Sequence, residues 1–139
     1  MRRRLLLPPL ARRRVRELSA SAWPQEACGL LEGALVGLAV RVDRLHRVDN
    51  HHDHPHERYL IDPETYLRLE HAARRRGRTI VGVWHSHPHG DATPSPRDRA
   101  WAWPGWSYLI AGVTNAGMSE LRCWTMGADD VVEQAIASR

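Results

Sequence analysis

The chain has 139 residues, 42% of them hydrophobic, and a formal charge of +4. That size and balance fit one globular domain with a single core, here taken as residues 1–139, and exclude an intrinsically disordered protein. No apolar run approaches the roughly 20 residues needed to cross a bilayer, so no membrane partner is expected. Cys28 and Cys123 have no C-x-x-C spacing, and therefore give neither a disulfide framework nor a thiolate metal site. Both are expected to be reduced and buried. Every basic residue is arginine. The runs Arg2–Arg4, Arg12–Arg14 and Arg74–Arg76 are read as solvated helix faces, so nucleic acid is not an expected partner.

The start, MRRRLLLPPLARRR, mimics a secretory leader, but its apolar stretch is short and broken by Pro8 and Pro9. It is assigned to the domain, and the protein to the cytoplasm. Leu5–Leu7 reads as a short edge strand. Pro9 suits the first turn of a helix running to about Ser21, with Leu10, Val15 and Leu18 on one face. EACGLLEGALVGLAVRVDRLHRV reads as two strands joined by a turn between Gly33 and Gly37, and ERYLI as a further strand.

DPETYLRLEHAARRRG is the clearest helix. Asp62 is its N-cap, Pro63 its first residue and Gly77 its stop, with Tyr66, Leu69 or Leu67, and Ala73 giving helical periodicity. TIVGVWHSH is a nearly continuous apolar strand, as expected where both faces are covered. SPRDRAWAW begins another capped helix, and SYLIAGV, SELRCWTM and DVVEQAIA read as closing strands. The fold class is α/β or α+β, a mixed β-sheet flanked by helices.

The stretch HSHPHGDATPSPRD, from His85 to Asp98, concentrates ligating side chains. His85 and His87 are one strand step apart on the same face, a two-toothed grip for a metal ion. Pro88 ends the strand, and Ser95 opens a helix with Asp98 one turn in, facing back. Two imidazoles and one carboxylate leave a fourth tetrahedral position open, the pattern of catalytic zinc. S-x-x-D at a helix start is equally the pattern of a capping box.

This stretch resembles the signature of the JAMM (MPN+) zinc metalloproteases, H-[ST]-H-P followed by S-x-x-D. Upstream, PQEACGLLEG resembles the P-x-E-x-C-G-L-L-x-G strand of the compact bacterial branch, and the likeness runs from about Trp23 to Met126. The resemblance implies a JAMM/MPN-like (cytidine deaminase-like) architecture with one Zn²⁺ per chain held by His85, His87 and Asp98. It implies Glu26, on the QEACG strand, as general base and Ser95 as donor to the oxyanion. Ser86 faces away and makes a structural hydrogen bond. Trp84 packs under a helix. Cys28, on the same strand face as Glu26, is a packing residue rather than a nucleophile, and of the two carboxylates Glu32 is the one read as a solvated strand residue.

The substrate the family implies is a ubiquitin-like or ThiS-like sulfur carrier protein ending in Gly-Gly. Its tail would add as a strand along an exposed edge. The leading reading is hydrolysis of a carrier–cysteine adduct, releasing cysteine in cysteine biosynthesis. An isopeptidase that removes a ubiquitin-like modifier from proteins, a non-catalytic MPN scaffold and a nucleic-acid-associated protein are the alternatives. The cluster His51, His52, His54 and His56 is read as a surface loop. Trp101, Trp103 and Trp106 have three readings: an apolar rim to the site, a homodimer contact, or core packing.

Overall fold

A computed structural model of the protein describes residues 3–50, 61–127 and 129–138. The elements are β1 (Arg4–Leu6), α1 (Pro9–Ala22), β2 (Cys28–Val36), β3 (Ala39–Val48), α2 (Pro63–Arg75), β4 (Thr79–His87), α3 (Pro96–Ala100), β5 (Ser107–Thr114), β6 (Gly117–Met126) and β7 (Val131–Ala137). This is the mixed sheet with helices that the sequence pattern implies. The His51–His56 cluster and all of ERYLI except Ile61 lie outside the described residues, and Ile61 belongs to no strand.

The strands pair in the order β1-β3-β2-β4-β5-β6-β7 and close on themselves. Here the structure corrects an expectation: β1 is no edge strand. It pairs in parallel with β3 on one side and β7 on the other, which leaves Leu5 and Leu7 fully buried. A second correction concerns Gly33, which lies inside β2 opposite Arg41 and Val42 rather than in the turn. A Cβ there would collide with the Arg41 carbonyl oxygen, so only glycine permits this approach of the two strands. The turn itself is Gly37–Leu38, and Gly37 takes a positive φ of 61°.

Two apolar clusters cover the faces of the sheet. One joins Val15 of α1 to Leu5, Leu31, Val42, Trp84 and Leu109; Trp84 thus packs against α1, as expected. The other joins Leu30, Val83, Tyr108, Ile110 and Trp124, with Tyr66 and Leu69 of α2 packed against it. Between them β4 is buried along nearly its whole length. Asp62 caps α2 by accepting from the Thr65 backbone N–H at 3.3 Å. Of the described helices, none is long and apolar enough to cross a membrane.

Glu32 is not the solvated strand carboxylate expected. It is fully buried on β2, and Arg76 donates to it through Nη2 at 2.6 Å and Nε at 2.9 Å. His46 lies at 2.8 Å. Burial alone would raise its pKa, but the Arg76 and His46 bonds outweigh it and hold the group at about 2. Arg76, itself exposed, therefore pairs with a buried carboxylate, and Arg74 binds Glu70 at 2.8 Å. All three arginines of the run are exposed, as expected of a solvated face.

Candidate active site

The site forms where β4 ends, β2 begins and α3 starts. His85 pairs with Cys28 across β2–β4, and His87 follows on the same face. Glu26 precedes β2 by two residues, so it sits on the loop entering the strand rather than on the strand itself. That loop is tied down locally. The Ala27 N–H donates to Ser86 Oγ at 2.8 Å, and the Ala27 carbonyl accepts from the Ser86 N–H at 3.0 Å. Asn50 donates to the Glu26 carbonyl at 3.0 Å. Ser86, placed between the two histidines, makes the structural bond expected of it and fixes the residue beside Glu26.

Ser95 and Asp98 do form a capping box: Ser95 Oγ accepts from the Asp98 N–H at 3.0 Å, and Asp98 Oδ2 accepts from the Ser95 N–H at 2.9 Å. The same Oδ2 lies 3.0 Å from His87 Nε2 and 3.4 Å from His85 Nε2, and the two Nε2 atoms are 3.0 Å apart. Capping thus aims the carboxylate at the histidines. A tetrahedral ion about 2.0–2.1 Å from each donor would hold the donors roughly 3.3 Å apart, so this trio fits a small divalent cation. A Glu26 carboxylate oxygen and the two imidazoles lie within 4.8 Å of one another. The structure therefore brings Glu26, His85, His87 and Asp98 together, with Ser95 at the adjoining helix start.

Burial pulls these groups in different directions. It pushes the Glu26 carboxyl up to about 7, with the Asp98 charge adding and His87 opposing. Burial also acts to raise Asp98, but the His85 charge, the two imidazole bonds and the Ser95 N–H outweigh it and hold the group well below the usual carboxylate range. His85, wholly buried, is driven down by desolvation. For His87 desolvation is outweighed by Asp98 and Glu26, and the net shift is upward. Burial raises the Cys28 thiol to about 12, so it stays protonated and donates weakly to the Val48 carbonyl. That fits packing rather than nucleophilic use.

A groove of about 760 Å³ leads from these residues. Leu30, Ile61, Tyr66, Val83, Trp106 and Tyr108 line its apolar part, and Trp101 and Trp103 stand at its rim, 75% and 67% exposed. Trp103 stacks on Trp106 with centroids 5.9 Å apart, and Tyr66 tilts against Trp106 at 5.6 Å. Of the readings given to the tryptophans, the apolar rim holds for Trp101 and Trp103, whereas Trp106 is partly buried and packs against the second apolar cluster. α3 spans only five residues and ends before these tryptophans. His89 and the Asp91 carboxylate, also in the ligand-rich stretch, stay out of the cluster; Asp91 instead binds Thr93. Sequence reading missed the contributions of Ile61, Tyr66 and Tyr108 to the groove, since each looked like a core position of its own element.

Residues 9–127 match the family described as prokaryotic homologs of the JAB domain. The chain is 41% identical over 96 residues to a desampylase of Haloferax volcanii, covering 68% of each chain. It is 39% identical over 75 residues to a probable TtuB-protein conjugate cleaving protease of Thermus thermophilus, covering 54% of this chain and 47%, less than half, of that one. A solution structure of a Desulfitobacterium hafniense protein superposes with a TM-score of 0.82 at 30% identity, over 95% of this chain and 90% of the other. With a family match over most of its length and its histidines, carboxylates and groove gathered at one end of the sheet, this chain belongs to the prokaryotic homologues of the JAB domain and is a peptidase of that family.

Proposed function

We propose that the chain is a zinc-dependent hydrolase that cuts the amide bond after the Gly-Gly terminus of a ubiquitin-like or ThiS-like sulfur carrier protein. The observation that carries this reading is three donor atoms within 3.0–3.4 Å of one another, beside a second buried carboxylate, at the end of an apolar groove. His85, His87 and Asp98 would hold the zinc, which when bound supplies Lewis acidity and lowers the pKa of water. Glu26 takes a proton from the attacking water and returns it to the departing amine; a carboxyl near pH 7 is suited to both transfers. Ser95 spends a lone pair on its cap, which leaves the O–H to donate to the carbonyl oxygen as negative charge develops there.

Two leaving groups fit: cysteine, or a lysine amine of a modified protein. The relative named for cleaving TtuB–protein conjugates favours the second. The test is to incubate zinc-loaded protein with a Gly-Gly carrier extended by cysteine, and with the same carrier joined to a lysine ε-amine, following intact mass. Faster loss of the lysine linkage is expected, slowed in Glu26→Gln by about 10²–10⁴. Faster release of cysteine would reassign the substrate. Loss of neither would leave a metal-binding scaffold.

A further inference from the structure

A metal-binding imidazole must present a nitrogen lone pair, and which nitrogen does so is set by what the other one meets. His87 Nδ1 lies 2.9 Å from the Asp91 carbonyl oxygen. A carbonyl only accepts, so this contact holds a proton on Nδ1 and frees the lone pair of Nε2, the atom facing His85 and Asp98, for a metal. Without a metal, Asp98 Oδ2 at 3.0 Å from Nε2 competes for that proton. Everything then depends on where that carbonyl is held.

The next residue, Ala92, is completely buried, and both of its backbone groups are taken by side chains of β6. Its N–H donates to Glu120 Oε2 at 2.9 Å, and its carbonyl accepts from Trp124 Nε1 at 2.9 Å. The register explains the reach. His87 pairs with Gly112 on β5, and Gly112 pairs with Glu120 on β6. A Cβ on Gly112 would collide with the Gly90 carbonyl oxygen, so the missing side chain makes the bed on which the loop lies.

We propose that Glu120 and Trp124 are positioning residues for the reaction: by clamping Ala92 they fix the Asp91 carbonyl, and with it the His87 tautomer. Their side-chain hydrogen bonds go to Ala92, whereas the His87 ring bonds to Asp91 and Asp98. The inference rests on His87 being a metal ligand.

Two measurements test it. Nitrogen chemical shifts of His87 in metal-free protein at about pH 9 report the tautomer of the neutral ring directly. Zinc affinity follows from competition with a chelator. In Glu120→Ala we expect the ring proton to move toward Nε2 and Asp98, and zinc binding weakened by about 10–100-fold, with Glu120→Gln, which keeps an acceptor oxygen, restoring most of both. Trp124→Phe keeps the ring and loses only the donor; it should shift both readouts in the same direction and serves if Glu120→Ala fails to fold. An unchanged tautomer and zinc affinity within about twofold of wild type in these variants, even with a lower Tm, would overturn the proposal. Wild-type protein that binds no zinc would instead sink the proposed function, while the tautomer would still decide the role of Glu120 and Trp124.

Discussion

Glu26 and Asp98 are carboxylates facing the same two imidazoles, yet their surroundings separate them. Glu26 is buried without a hydrogen-bond donor of its own in the cluster, and its proton affinity rises. Asp98 is wrapped by two imidazoles and a backbone N–H, and its proton affinity falls. Opposed shifts of this kind assign different work to chemically similar groups. Glu26→Gln is therefore expected to remove turnover while keeping about one zinc per chain in native mass spectrometry. Asp98→Ala should lose the zinc, and with it part of the α3 cap, so its Tm should fall as well. At this scale the histidine pair and Asp98 were legible because H-x-H and S-x-x-D are local patterns. Glu26 was legible only through likeness to a family, since nothing nearby in sequence marks it. The contacts of Ala92 were not legible at all, because they depend on the register of β6, which no local pattern encodes.

Elements whose ends carry their own chemistry matched expectation. α2 starts at Pro63 behind an Asp62 cap and stops before Gly77, whose φ is 74°. Asp62→Ala should cost about 1 kcal/mol in urea unfolding, the usual value of an N-cap. Glycines inside strands misled instead, because a turn and a close interstrand approach require the same residue. The two cases can be told apart by substitution. Gly37→Ala, strained only by its positive φ and open to solvent, should cost about 1 kcal/mol. Gly33→Ala must push β3 away at Arg41, and should lower stability by clearly more in the same unfolding assay.

Across the whole molecule, closure of the sheet was the feature the sequence did not reveal. A three-residue strand carries too little pattern to show that it has two partners. The pairing of buried Glu32 was hidden for a similar reason, since its partners come from β3 and the end of α2. It has a consequence for acid stability. Glu32 titrates at about 2 in the folded chain against 4.5 without its partners, so its contribution is complete above about pH 4.5. That contribution, at most on the order of 3 kcal/mol, fades as the pH falls through 2. Glu32→Gln should therefore destabilise the protein at pH 7 and shrink its loss of stability between about pH 5 and 2, as followed by equilibrium unfolding.

The double pairing of β1 also orders events during synthesis. The clustered side chains Glu26, His85, His87, Ser95 and Asp98 all precede β5, whereas the barrel seam needs Ala135–Ala137 beside Arg4–Leu6. A growing chain on the ribosome thus holds all five of these side chains while one wall is still missing, and β1 has one side without its final partner until β7 is made. Contacts joining the two ends of a chain form slowly. Completion of the last strand is then the step at which the nascent chain stops offering an open strand edge to its neighbours.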